Sequence, residues 1–329
     1  MSDSKVWTKK IVQQHAKVAA DVELYTIPFY TTVMTSIKDV NSEAYKIIQG
    51  ILIEEMMHLQ LASNLCVALD TTPQFNSPNF HCDIPYLKPG VVLNADMEPL
   101  NENSLRVMLA IETPESVLAG NGDSTPNGND TPQYPYSSIG EMYNALFTGI
   151  EKVGPEQFSW NTDDQHQFWV DQGYPQIIST PEEARQAVDA IEAQGEGGHT
   201  EQNINDPNQA SNSDNFLITP EEYQMNNTAP DGSFHIPIEL KKYCHYGRLL
   251  HIKNTGIPET YTGTDNPTYK ANKELRVKLA MMLGTLNMLW LGDTFMPPGA
   301  RWGMALQLMR DVGSLARECW ENGVVPDWS

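Results

Sequence analysis

The chain has 329 residues, 40% hydrophobic and 19% charged, enough to bury a sizeable core as one large domain or two smaller ones. A formal charge of -21 makes a surface that repels phosphate backbones and anionic lipid, which argues against nucleic acid and membrane as partners. No run has the length of an apolar span, and the stretch MSDSKVWTKKIVQQH lacks the apolar centre of a signal peptide. Cys66, Cys82, Cys244 and Cys319 are scattered without a CxxC pair, so a reducing cytoplasm is the expected setting.

Apolar positions Ile11, Val18, Val22, Phe29 and Val33 share one helical face and predict a first helix over residues 6–37, with Pro28 set to kink it. A second helix is predicted over residues 42–69, ended by Asp70-Thr-Thr-Pro73. Residues 71–102 are rich in Pro and Asn and predict an irregular connection; a short helix over 102–113 follows and stops at Pro114. Loop composition over 115–137 leads into helices over 138–153 and 181–195. The polar stretch 197–234 is an insertion, and a loop of that length is a lid or has no fixed structure. Helical pattern resumes at Ile238, through KKYCHYGRLLHI. Two further helices, over 273–295 and 301–322, are split by Pro297-Pro298. The expected fold class is all-α, a helix bundle with long loop insertions and extra C-terminal helices. Residues 1–260 would form the bundle, and 261–329 a helical pair packed on it in the same domain.

The second helix carries acids where they are costly. In EEMMHLQLASNLCVAL, Glu55 and His58 share a face with Ile48, Ile51, Leu52, Leu59 and Ala62. A dry, unpaired carboxylate costs several kcal/mol, so such a group is paired, protonated or bound to metal. Glu-x-x-His directs one carboxylate and one imidazole at one point, as in bundles that hold two iron or manganese ions. Alone the motif reads equally as a solvated acid beside a hydrogen-bonded core histidine, and Glu54 adjoins it. Glu23 lies one turn before Pro28, in DVELYTIPFY. Glu141 follows Ser138 by three, which is also a capping box. Glu192, Glu196 and His199 lie in AIEAQGEGGHT, and the literal Glu196-Gly-Gly-His199 step contains two glycines, each costing a helix about 1 kcal/mol. His245 and His251 follow the insertion. A di-metal bundle needs one Glu from each of two helices and a Glu with a His from each of two others. Glu23, then Glu55 with His58, then Glu141, then a further acid and histidine supply that order.

VELYTIPFY, EEMMHLQLASNLCVAL, AIETPES, SSIGEMY, AIEAQGEGG and CHYGRL, in this order across residues 8–252, resemble the ferritin-like domain family related to the iminophenyl-pyruvate dimer synthase of violacein biosynthesis. The resemblance implies a ferritin-like four-helix bundle with Glu23, Glu55, His58, Glu141, Glu196 and His245 as metal ligands. Glu54, Glu192 and His199 are the reserve candidates. In this picture Glu55 and Glu196 bridge or flank two ions, His58 and His245 terminate them, and Glu23 and Glu141 cap the ends. Glu112, in IETPES, is read as structural, and Arg248 as a counter-charge or a binder of substrate carboxylate.

Carboxylate and imidazole suit iron, with manganese the alternative; the lack of grouped thiolates argues against iron–sulfur and Cys-rich zinc sites. The expected activity is a di-iron oxidoreductase using dioxygen as co-substrate on a small amino-acid-derived molecule, in secondary metabolism. The alternatives are an imine-coupling synthase like the named relative, and a non-enzymatic iron-binding protein. Self-association is left open. No GxGxxG, P-loop or GxSxG motif is present, so nothing implies a nucleotide or a serine nucleophile.

Overall fold

A computed structural model describes residues 6–78, 96–114, 132, 136, 138–169, 173–195, 212–218, 236–291 and 296–329. Among these the chain forms helices α1 (Lys9–Ser36), α2 (Glu43–Ala68), α3 (Glu102–Ile111), α4 (Ile139–Val153), α5 (Pro181–Gly195), α6 (His245–Thr255), α7 (Lys270–Trp290) and α8 (Pro298–Glu321), with three isolated β-bridges in place of any sheet. The all-α expectation is met. No described helix is long and apolar enough to cross a membrane.

The helix starts follow local chemistry. The Thr8, Ser42 and Ser138 side chains accept the backbone N–H three residues on, and Asn101 and Ser104 cap α3 reciprocally. α4 and α6 end at Gly154 (φ 99°) and Gly256 (φ 103°), a region that disfavours side chains bearing Cβ. Pro28 lies inside α1, which runs on to Ser36, close to the expected end, with Thr31, Thr32 and Thr35 hydroxyls bonded to carbonyls one turn earlier. One predicted start moves. Residues 238–240 form only a 3₁₀ turn, and α6 begins at His245.

α1 and α2 form a helical hairpin, closed by residues 37–42, so positions equidistant from the turn lie side by side and Glu23 meets Glu55. α2 is buried on nearly every side from Ile47 to Ala68, and α5 and α6 pack across it. α4 packs on α1, and α3 on α6. The α7–α8 pair leans on α1 through α8. Trp320 Nε1 donates to Thr32 O at 3.0 Å, Trp328 Nε1 donates to Thr32 Oγ1 at 2.7 Å, and Arg317 caps the carbonyls at the end of α1. Cys66, Cys244 and Cys319 are buried free thiols.

The C-terminal pair is tied to the bundle through Trp320, which is 1% exposed. Trp320→Ala should cost about 3–5 kcal/mol in chemical denaturation, in one transition. A loss below about 1 kcal/mol, or two separate transitions, would show that α7 and α8 unfold independently of the bundle.

Candidate metal centre

Five side chains from four helices converge in the middle of the bundle. α1 supplies Glu23, α2 supplies Glu55 and His58, the C-cap of α3 supplies Glu112, and the first residue of α6 is His245. All are buried. They form two overlapping groups whose ligand atoms lie within 4.8 Å of one another: Glu23, Glu55 and His58, and Glu55, Glu112 and His245. Glu55 belongs to both. Its Oε1 lies 3.6 Å from His58 Nδ1 and 3.0 Å from His245 Nδ1. Glu23 Oε2 is 3.8 Å from His58 Nδ1, and Glu112 Oε2 is 3.3 Å from His245 Nδ1. The two rings are stacked at 5.4 Å.

Each of the five groups is tethered by one atom and turns the other inward. Tyr143 donates to Glu23 Oε1 at 2.7 Å, Tyr30 donates to Glu112 Oε1, and Thr26 donates to Glu55 Oε2 at 2.7 Å. His58 Nε2 bonds Gln194 Oε1 at 2.9 Å, and His245 Nε2 bonds Glu54 Oε2 at 3.0 Å. An ionised carboxylate only accepts, so His245 carries its proton on Nε2 and, when neutral, aims a lone pair from Nδ1 at the centre. Glu54 is itself held by both terminal nitrogens of Arg248, and both residues are fully buried. The chain of contacts runs from guanidinium to carboxylate to imidazole to centre.

The centre is short of positive charge. Burial and the Glu55 charge push Glu23 up to about 8. Burial alone would lower both histidines, yet Glu112, Glu54 and Glu55 lift His245 well above its ordinary value, and Glu55 lifts His58. Burial opposes the Glu54 charge, but Arg248 and His245 hold its carboxyl down at about 2. Without a cation, protons must sit among these groups. His245 Nδ1 also makes no hydrogen bond of acceptable geometry despite its two close carboxylates. A buried nitrogen without a hydrogen bond, facing carboxylates that are anchored on their far sides, fits metal ligation.

Glu23, Glu55, His58 and Glu112 line a cavity of ≈ 20 Å³, about the space of one water, and Glu192, Ile111, Ile139, Ile191 and Gly195 line it with them. Glu192 therefore borders the cavity, and its Oε2 lies 3.9 Å from Arg185 Nη2. Glu141 stands in the first turn of α4, half-buried, with its N–H on Ser138 Oγ at 3.0 Å and its carboxylate outside both groups. His251 lies away from the centre, on Glu43 at 2.9 Å. Glu196 and His199 lie outside the described residues. Arg248 is sealed against Glu54 and has no exposure toward a substrate.

Sequence reasoning assigned Glu112 to structure, whereas its carboxylate lies in the centre. One signal was available: Glu112 occupies the C-cap of α3, where the helix dipole disfavours an anion, and no basic residue lies in that last turn. Tyr30, Tyr143 and Gln194 gave no signal, since their role depends on which helices neighbour them.

Glu54→Gln should leave Arg248 buried without its counter-charge, at a cost of about 3–5 kcal/mol near neutral pH. The folded carboxyl titrates near 2 against an ordinary 4.5, so Glu54 stabilises fully above 4.5 and this contribution is lost as pH falls through 2. Denaturation of both proteins from pH 7 downward should show their difference shrinking with acid. A difference below about 1 kcal/mol at neutral pH would mean that the pair carries no such weight.

A ferritin-like family model matches residues 16–216. The fold is also similar to that of a ferritin-like protein from Caulobacter vibrioides, known from a crystal structure, with a TM-score of 0.71 and 25% identity over 99% of this chain and 100% of that one. No curated protein matches the sequence. The matched span runs from α1 through α5 and includes Glu23, Glu55, His58, Glu112 and Glu192. The chain belongs to the ferritin-like family.

Proposed function

We propose that the centre holds two carboxylate-bridged metal ions, iron before manganese, and that the protein is an oxygen-dependent oxidoreductase acting on a small amino-acid-derived substrate. The observation that carries this reading is Glu55, whose carboxylate completes both three-ligand groups at once. Glu23 and His58 would hold one ion, Glu112 and His245 the other, and Glu55 would link them. Glu192 faces the same cavity and is available to either ion. Glu141 and Glu196 remain sequence-derived candidates for further positions. Three inner carboxylates carry less charge than two divalent ions, and an anionic oxygen ligand from a fourth acid or from substrate would restore balance.

When bound, such a pair of ions supplies the capacity to bind and reduce dioxygen. The chain's own residues do the rest. Tyr143 and Tyr30 keep Glu23 and Glu112 turned inward. Glu54 fixes the proton on His245 Nε2, and Gln194 holds the His58 ring by its Nε2. Ile111, Ile139 and Ile191 keep the wall beside the carboxylates apolar, which excludes water and strengthens every charge interaction inside.

The motif series supports a second reading, an imine-coupling synthase like the violacein-pathway relative that the sequence resembles, in which the ions bind and orient substrate without redox change. Oxygen uptake during turnover separates the two: stoichiometric uptake supports the oxidoreductase, and product formation under strict anaerobiosis supports the synthase.

Anaerobic reconstitution with ferrous ion should load about two ions per chain, as the bundle ligand count requires. Glu55→Ala, which removes the shared ligand, should abolish both. Glu112→Ala should lose the ion at His245 and keep the other, and Glu141→Ala serves as comparison for a carboxylate outside both groups. His58→Ala should lose the ion beside Glu23. Wild-type protein that binds no metal would overturn the proposal. Glu55→Ala binding as much as wild type would remove the bridging role.

A further inference from the structure

The two halves of the centre offer an ion the same kinds of ligand but hold their histidines differently. His245 Nε2 bonds Glu54 Oε2 at 3.0 Å, and against burial Arg248 keeps that carboxyl ionised. His58 Nε2 bonds Gln194 Oε1 at 2.9 Å, so its partner is a neutral amide. Tyr174, whose hydroxyl lies on the Met57 sulfur, bonds the same Gln194 side chain and fixes it from behind. Gln194 and Tyr174 are both buried. An imidazole whose N–H meets a carboxylate is a more basic ligand through its other nitrogen than one whose N–H meets an amide.

Two further differences run the same way. His245 Nδ1 lies 3.0 Å from a Glu55 oxygen and 3.3 Å from a Glu112 oxygen. That is close to the spacing of neighbouring ligand atoms around an octahedral ion bound at about 2.1 Å. His58 Nδ1 lies 3.6 Å from Glu55 and 3.8 Å from Glu23, a looser set. The cavity of ≈ 20 Å³ borders His58 and Glu23, and His245 does not line it. Its wall includes Gly140 and Gly195, and a Cβ on Gly195 would stand 3.4 Å from Glu112 Oε2. The space suits one water-sized ligand.

Resting on the two-ion reading above, we propose that the centre is asymmetric by construction. The His245 side binds its ion tightly and fills first. The His58 side binds its ion more weakly and is the side on which a small exogenous ligand has room. Glu54 and Gln194 are the positioning residues that set this difference, one through a charged hydrogen bond and the other through a neutral one. A partner behind a metal-bound histidine is worth about 10- to 100-fold in metal affinity, which sets the expected gap between the two sides.

Anaerobic calorimetric titration of the full chain with ferrous ion should resolve two steps about 10- to 100-fold apart in affinity. Crystals given one equivalent should show their iron-edge anomalous peak among Glu55, Glu112 and His245. Gln194→Glu gives His58 a carboxylate partner, so the second step should tighten toward the first, a gain that lost packing cannot produce. Azide soaked into two-ion crystals should lie beside His58 and Glu23. Two equal steps, or a first peak beside His58, would overturn the asymmetry and leave the two-ion centre standing. Azide beside His245 would overturn the assignment of the open side. A folded Gln194→Glu protein whose second step does not tighten would overturn the role of Gln194; where that variant fails to fold, the wild-type steps and the one-equivalent peak decide the asymmetry alone. A chain that takes up no ion would overturn the two-ion reading and this inference with it.

Discussion

Glu23, Glu55 and Glu112 lie close together in the dry centre of the bundle, and their mutual repulsion constrains everything around them. Carboxylates in that position are stable only when positive charge lies between them. Among the described residues, the guanidinium buried near the centre is that of Arg248, and it is committed to Glu54 on the far side of His245. What remains for the inner groups is protons or cations. The elevated Glu23 and histidine values describe the first solution, and the inward Nδ1 atoms of His58 and His245 are built for the second.

The surroundings hold the inner groups in that costly arrangement. Tyr143, Tyr30 and Thr26 each take one oxygen of an inner carboxylate, and Gln194 and Glu54 each take the outer nitrogen of a histidine. These bonds turn the ligand atoms toward one another whether or not a cation is present. The binding geometry is therefore prepared by the fold, at the cost of repulsion in the empty state, and a pair of cations would relieve that repulsion on arrival.

The bundle itself was legible because helix periodicity and caps are local. The Thr8, Ser42 and Ser138 starts and the Gly154 and Gly256 ends follow from neighbouring residues alone. Glu55 and His58 were legible for the same reason, as a single helix turn fixes their common direction. Glu23 could be paired with them because a hairpin matches positions across its turn. Beyond that, local pattern ran out. Glu112 and His245 meet across 133 residues of sequence, between a helix end and a helix start that no periodicity relates. The Ser138–Glu141 capping pattern and a ligand role at Glu141 look the same in sequence. In the structure Ser138 does accept the Glu141 N–H, and the carboxylate at the centre comes from α3.

The most direct measurement is anomalous diffraction at the iron edge, from crystals of the full chain loaded anaerobically with ferrous ion. Two peaks, one on either side of the Glu55 carboxylate, with Glu23 and His58 around one and Glu112 and His245 around the other, are the predicted result. No peak among these side chains, or a single ion that leaves Glu55 untouched, would contradict the shared-ligand account.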